Sequence, residues 1–197
     1  QIVRLFKNNK PFKMSKREGN FITLKEILEH VGKDSLRYFM ISTKSETLMD
    51  FDMNKVIEKN KDNPVFYCQY AYARASSVIN KSKSYKEFSN LDKITNTLDF
   101  KYISIYEWDI ILKLISWPFI LNQSSQLRQP HRITNYLEGL SSSFHSFWNR
   151  GKDDESLRII NINQKEKTIT KLIWIESFRI VLERAFHIIG IDAIENM

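Results

Sequence analysis

The sequence predicts a mainly α-helical protein, a helical bundle that follows a small mixed N-terminal segment. The chain has 197 residues with only 5 Gly and 4 Pro, which argues against a turn-rich sandwich. Apolar residues recur at spacings of three and four over several long segments. Helix-start signals precede those segments. Together these features favour helices packed around a common core.

The N-terminal segment combines a strand signal with a helix signal. Residues 1–6 alternate weakly, and the turn-like sequence Asn8–Pro11 closes them, which predicts a short strand. Thr23 and Glu26 have the spacing of a capping box, so a helix is expected to begin there and to end at Gly32.

Two aspartates are predicted to begin short helices. Asp34 can cap a helix that contains Arg37, and the two residues are spaced to form an exposed i, i+3 pair. Asp52 can cap a third short helix. We interpret Asp34 and Arg37 as structural.

A longer helix is predicted from Asn63–Pro64, because Asn is a good cap and Pro suits the first helical position. Its apolar residues form one stripe for burial, which includes Cys68. The thiol is interpreted as a small hydrophobic group and not as a nucleophile. The stripe consists of Val65, Cys68, Tyr72, Ala75 and Ile79.

Three further helices are predicted. A capping box at Ser104–Glu107 opens the first, which Pro118 is expected to break or kink. The others are expected over residues 131–148 and about 166–189, with a loop at residues 151–155 between them.

The composition excludes several classes of protein. A single cysteine cannot form an internal disulfide, and with four histidines it leaves no ligand set for structural zinc, so no metal site is predicted. No apolar run approaches the roughly 18 residues that cross a bilayer. The chain begins with Gln1 rather than Met, and its start is not a signal peptide, so we expect a piece of a longer protein.

Positive charge is concentrated at the N-terminus. Six basic residues and no acidic residue precede Glu18. This distribution suggests contact with phosphate, although charge alone leaves open a solvated basic loop.

Within that basic stretch, residues 13–17 read K-M-S-K-R. The stretch resembles the K-M-S-K-S signature of class I aminoacyl-tRNA synthetases, with Arg17 at the final serine. Ammonium groups suit this role because negative charge develops on the departing pyrophosphate. The resemblance implies that Lys16 is the principal pyrophosphate contact, that Lys13 and Ser15 assist, and that ATP binds at Lys13, Met14, Ser15 and Lys16.

The motifs that follow are similar, in the same order, to those of the arginyl-tRNA synthetase family, although Ser35 replaces an alanine of that pattern. The resemblance implies the C-terminal end of the catalytic region at residues 1–50 and a helical anticodon-binding domain at residues 51–197. The motifs are G-N-F-I-T-L at residues 19–24, D-S-L-R-Y at 34–38, and D-N-P-V-F-Y-C-Q-Y-A-Y-A-R at 62–74.

The resemblance also implies a parent enzyme that joins arginine to its tRNA through arginyl-adenylate, using ATP with Mg²⁺. The nucleotide-binding core and the H-I-G-H signature of that family do not occur in this sequence. We therefore expect the chain alone not to activate arginine and to bind no cofactor. Its expected partners are the tRNA for arginine and, through the missing core, ATP and arginine. A monomeric cytoplasmic protein without membrane contact is expected.

One helix face is a candidate for reading RNA. At 100° per residue, Tyr67, Tyr70 and Arg74 fall within about 60° of one another, away from the buried stripe. Unpaired bases stack on Tyr and Arg planes. Geometry alone leaves open that this face packs against another helix. The family resemblance favours anticodon contact, and adds Phe144 and Met197 as walls of a base pocket.

Other residues near this face have weaker assignments. Phe144 also lies on an apolar stripe, so core packing is an equal alternative for it. His145 and Trp148 are further candidates for contact with RNA, and Arg132 either holds phosphate or fixes an interhelical turn.

Two other functions remain open from the sequence. One is a different class I synthetase, such as the cysteinyl enzyme, with a related helical domain. The other is a non-catalytic helical module that binds RNA or protein with a basic tail.

Overall fold

The N-terminal segment forms a small sheet followed by two short helices. The structure is a computed structural model and describes residues 2–12, 14, 21–88 and 99–197. Strand β1 spans Val3–Lys7 and pairs antiparallel with β2, Lys10–Pro11. The turn between them places Asn8 and Asn9 at positive φ, which Asn tolerates better than most residues. The predicted strand and turn are confirmed.

A third strand, β3 (Met49–Asp52), completes this sheet. It pairs parallel to β1, so that the strand order is β2-β1-β3. The third short helix predicted after Asp52 is a single 3₁₀ turn, Lys55–Ile57. The predicted cap is confirmed in part, because Asp52 lies at the end of β3 and its Oδ1 accepts from the N–H groups of Asn54 and Lys55 at 3.0 and 3.5 Å. Its carboxylate accepts a hydrogen bond from the main-chain N–H of Asn9 at 2.6 Å.

Two helices connect β2 to β3. Helix α1 spans Leu24–Val31 and begins at the predicted capping box, where Glu26 N–H donates to Thr23 Oγ1 at 3.2 Å. Helix α2 spans Lys33–Ser42 and is preceded by Gly32. Asp34 is therefore inside the first turn of α2 and does not cap it, which corrects the prediction.

Four longer helices form the bundle. Helix α3 packs on α5 and α6, and α4 packs on α5. The predicted helices exist, but two details differ. Helix α4 passes through Pro118, so the predicted break is wrong, and α5 continues through most of the predicted loop at residues 151–155. The bounds are α3 Pro64–Ser82, α4 Ile105–Gln126, α5 His131–Asp153 and α6 Lys165–Ile189.

The buried side chains form two clusters. The larger lies among α3, α4, α5 and α6 and contains all five residues of the predicted α3 stripe. The smaller lies between the sheet and α1 and includes Ile27, Phe51 and Val56. Phe39 of α2 packs against both clusters. Helix α2 therefore joins the sheet to the bundle.

The end of α6 requires a glycine. Gly190 adopts a left-handed conformation with φ 73°, which lets Ile191 N–H donate back to Phe186 O at 3.0 Å. A Cβ at Gly190 would press against the Arg37 guanidinium. That guanidinium donates from Nε to the carbonyl of Ile189. The predicted pair of Asp34 and Arg37 is thus replaced by contacts with other partners.

Gly190→Ala is expected to lower the free energy of unfolding by about 1–2 kcal/mol, because an L residue is strained in this conformation. Gly139→Ala is the matched control. Gly139 lies inside α5, and apart from the local helix backbone no described atom lies within 4 Å of an added Cβ, so the substitution should raise stability by up to about 1 kcal/mol. Urea unfolding measures both values. Equal effects of the two substitutions would contradict this account of Gly190.

Candidate nucleic-acid interface

The position of α3 is fixed at its first turn by Asn63. The side-chain oxygen of Asn63 accepts a hydrogen bond from Val65 N–H at 3.1 Å, which caps the helix as predicted. Its Nδ2 donates to the carbonyls of Val56 and Glu58 at 3.0 and 2.7 Å. The buried stripe of α3 then faces the core, and the face that carries Tyr67, Tyr70 and Arg74 lies at the edge of α5.

Arg74 is the centre of this face. Its Nη2 donates to the hydroxyl of Tyr70 at 2.9 Å, and its Nη1 lies 3.0 Å from Nδ1 of His145. The guanidinium carbon is 4.1 Å from the centre of the Tyr70 ring and 5.2 Å from that of Trp148. Both distances are within the range of cation–π contacts. Arg74 is therefore in contact with two aromatic rings.

His145 of α5 determines how these groups meet. Its Nε2 lies 3.1 Å from the main-chain carbonyl of Tyr67, and its ring centre is 4.4 Å from that of Tyr67. Since Arg74 can only donate, Nδ1 accepts from Arg74 and Nε2–H donates to Tyr67. A single tautomer of the neutral ring, protonated at Nε2, therefore makes both hydrogen bonds. Burial lowers the pKa of His145, which favours that neutral form.

A cavity of about 350 Å³ lies beside Arg74. One side is formed by α3 and by Trp148 of α5, and the other by the last three residues of the chain. Its walls offer an aromatic ring, a guanidinium and a thioether, a combination that suits a planar base with polar edges. The lining residues are Tyr70, Ala73, Arg74, Ser77, Trp148, Glu195, Asn196 and Met197.

The structure brings together most of the predicted RNA-binding residues. Tyr67, Tyr70 and Arg74 are half-buried against α5. The prediction of an exposed face and the alternative of packing against another helix are therefore each partly correct. Met197 lines the cavity and is 52% exposed. Ser77 also lines the cavity but was not predicted, although it lies seven residues after Tyr70 on the same helix side.

Phe144 is not part of this surface, which corrects its prediction as a pocket wall. Its side chain is 0% exposed, and its ring stacks on Phe178 with centres 4.4 Å apart. It packs behind His145 and Trp148, with ring centres 6.0 and 5.9 Å away. Phe144 supports the two residues that face Arg74.

Six other residues singled out in the sequence have structural roles, are not part of this surface, or lie outside the described residues. Arg132 donates from Nε to Gln129 Oε1 at 2.7 Å and so fixes the turn before α5. Cys68 is fully buried, and burial raises the pKa of its thiol to about 12, consistent with a small hydrophobic group. Lys13, Ser15 and Lys16 lie outside the described residues, whereas Met14 is described and exposed.

Two searches bear on metals and membranes. Among residues 2–12, 14, 21–88 and 99–197, no group of three His, Cys, Asp or Glu side chains is arranged to hold a metal ion. In the same described parts of the chain, no helix combines the length and apolar character needed to cross a membrane.

Comparison with known proteins covers the chain from end to end. The family described as "DALR anticodon binding domain" matches residues 68–197, and "tRNA synthetases class I (K)" matches residues 3–94. Arginine–tRNA ligases of Allorhizobium ampelinum and Pelagibacter ubique are 40% and 41% identical to it. Each alignment covers 100% of this chain but 34% and 33% of those proteins. The chain thus spans about a third of the length of these curated relatives.

A solved structure has the same fold. The arginyl-tRNA synthetase of Thermus thermophilus superposes with a TM-score of 0.79 at 19% identity, over 99% of this chain and 34% of that one. The fold and the matches define the class as a helical anticodon-binding domain preceded by a class I tRNA synthetase segment. The chain belongs to the DALR anticodon binding domain family. The matched relatives favour neither the cysteinyl enzyme nor a non-catalytic module.

The lowered pKa of His145 predicts a pH dependence of stability. Unfolded histidine titrates near pH 6.5, whereas the folded protein resists protonation of this ring. The stabilisation is therefore complete above about pH 6.5 and is lost as the pH falls through the lower folded pKa. We expect His145→Gln to reduce the fall in unfolding free energy between about pH 7 and pH 5.

The control for this measurement is His187→Gln, at an exposed histidine of α6. Urea unfolding of the three proteins across that pH range should leave the control with the parental slope. If His145→Gln also kept the parental slope, the neutral ring would not be a determinant of stability.

Proposed function

We propose that this chain is the C-terminal part of an arginine–tRNA ligase, which attaches arginine to its tRNA through arginyl-adenylate with consumption of ATP. The support is the similarity over the full chain to arginine–tRNA ligases, together with the DALR domain. In this proposal, residues 1–50 belong to the catalytic region and residues 51–197 form the anticodon-binding domain. The parent acts as a cytoplasmic monomer.

The cavity beside Arg74 carries the anticodon-binding part of the proposal. An unpaired base that enters it stacks on Tyr70 and Trp148, while the Arg74 guanidinium donates to the base edge or to phosphate. Arg74 has no carboxylate within ion-pair distance among the residues that the structure describes. Its charge is therefore available to RNA.

The basic loop carries the catalytic part. Lys16, with Lys13 and Ser15, stabilises the charge that develops on pyrophosphate when arginine attacks the α-phosphate of ATP. Met14 belongs to the same ATP-binding stretch. ATP would bring Mg²⁺ with it, and the remainder of the parent would hold arginine. The tRNA for arginine is the partner of both parts.

Tyr70→Ala is expected to weaken binding of the arginine anticodon stem-loop by about 5- to 150-fold, which corresponds to the loss of one stacked base. For an RNA with an altered central anticodon base, Tyr70→Ala should change the affinity little, because that RNA has already lost the specific contact. Titration of this 197-residue chain with both RNAs, at several salt concentrations, measures the difference.

Tyr106→Ala is the matched control. Tyr106 is a 41% exposed tyrosine of α4 whose ring contacts Arg150 at 4.2 Å and does not line the cavity. This variant should retain parental affinity. Binding that ignores the anticodon in every variant would instead identify a general RNA-binding module.

Lys16→Ala in the full-length parent is expected to lower arginine-dependent ATP–pyrophosphate exchange by about 100- to 1,000-fold, the usual effect of losing one preorganised donor. Affinity for tRNA should stay within about twofold, since the loop acts in the transition state. Lys25→Ala, at an exposed lysine of α1, is the control. The isolated chain should show no exchange. A parallel fall in exchange and in tRNA affinity would indicate an ordinary phosphate contact.

A further inference from the structure

The last seven residues of the chain follow Gly190, and their burial falls toward the end. Ile191 is 4% exposed and packs in the main core, but Glu195, Asn196 and Met197 are exposed. Short exposed termini are usually poorly ordered unless side chains hold them. The three terminal residues nevertheless form one wall of the cavity beside Arg74.

Two side chains from different helices hold the main chain of this tail at Asp192. The N–H of Asp192 donates to Asp34 Oδ2 at 3.2 Å, and its carbonyl accepts from Gln69 Nε2 at 3.0 Å. Gln69 Nε2 also donates to Asp34 Oδ2 at 2.9 Å. The three hydrogen bonds close a ring, which we call the tail clamp and define by Asp34, Gln69 and Asp192.

The donor and the acceptor of each hydrogen bond in the tail clamp can be assigned. A carboxylate and a main-chain carbonyl can only accept, so the Gln69 amide must present its NH₂ group to both. Gln69 is 5% exposed, and its partner Asp34 is the α2 aspartate that was expected to cap a helix. The Lys33–Asp192 ion pair at 2.8 Å is solvent-exposed and adds little.

The tail clamp lies close to the cavity along two segments of the chain, α3 and the C-terminal tail. Gln69 directly precedes Tyr70 on α3, and Asp192 precedes Glu195 by three residues, a span of at most about 11 Å. Fixing the main chain of Asp192 therefore restricts where the terminal residues can lie relative to the Tyr70 ring.

We propose that Asp34 and Gln69 are positioning residues for anticodon recognition. They hold the tail so that residues 195–197 close one side of the base cavity, and they touch no RNA themselves. This inference rests on the proposed function of the cavity. It assigns to the aspartate of the D-S-L-R sequence a role in RNA affinity that is transmitted through the C-terminal tail.

A double-mutant cycle on this 197-residue chain tests the proposal. Asp34→Ala should weaken binding of the arginine anticodon stem-loop by about five- to tenfold, as expected from loss of about 1–1.4 kcal/mol. When residues 195–197 are deleted, the same substitution should change affinity by less than about twofold, because the wall that Asp34 positions is already absent.

Two further variants separate positioning from a general loss of structure. Asp34→Asn keeps an acceptor oxygen for both N–H groups and should restore most of the affinity. Gln69→Met removes both donors at similar volume and should repeat the pattern of Asp34→Ala in the cycle. Asp109→Ala, at an exposed aspartate of α4 that pairs with Lys113, is the control and should have no effect.

The outcomes distinguish the inference from the function on which it rests. Equal losses for Asp34→Ala with and without residues 195–197 would overturn the positioning role, as would an unchanged affinity in the complete chain. In either case, a strong effect of Tyr70→Ala would still support the proposal that the cavity binds an anticodon base. Hydrogen exchange gives a direct reading, since Asp34→Ala should accelerate exchange of the Asp192 amide.

Discussion

The contact between Arg74 and the neutral ring of His145 is the interaction on which the interface depends. One imidazole accepts from the guanidinium of Arg74 and donates to the carbonyl of Tyr67, so it joins α5 to two points of α3. A protonated ring could not accept from Arg74, and burial opposes that form. A neutral partner also leaves the positive charge of Arg74 uncompensated, which an aspartate in the same place would not.

The aromatic residues of the interface are preorganised by the same packing. The rings of Tyr67 and Tyr70 lie 4.4 and 5.7 Å from that of His145, and Tyr70 also receives the Arg74 hydrogen bond. Side chains that are already fixed lose less conformational entropy when a ligand binds. Phe144 contributes by filling the space behind His145, so a fully buried residue helps to shape an exposed surface.

Helix α2 links the two parts of the protein through several independent contacts. Besides the tail clamp and the bond from Arg37 to the end of α6, Tyr38 is fully buried and donates to Glu138 of α5 at 2.9 Å. Phe39 packs against both hydrophobic clusters. The D-S-L-R-Y sequence is thus a set of attachments from one short helix to α3, α5, α6 and the tail.

The helices and the buried stripe of α3 could be predicted without the structure, because capping residues and apolar spacing act within a few residues of one another. The sequence also grouped Tyr67, Tyr70 and Arg74 on one face, since helical geometry fixes their directions. Strand β3 was missed because its partner β1 is 46 residues away, and no local pattern records a parallel pairing.

The contacts between side chains of different helices could not be predicted in this way and became visible only in the folded chain. The position of Asp34 in the sequence is typical of a helix cap, yet its side chain binds Gln69 and Asp192, the latter 158 residues away. The resemblance predicted Phe144 and Met197 as walls of one pocket, but Phe144 is fully buried in the core, whereas Met197 is exposed and lines the cavity. Such contacts depend on how α3, α5 and the tail pack together, and that packing is a property of the whole chain that short-range spacing does not encode.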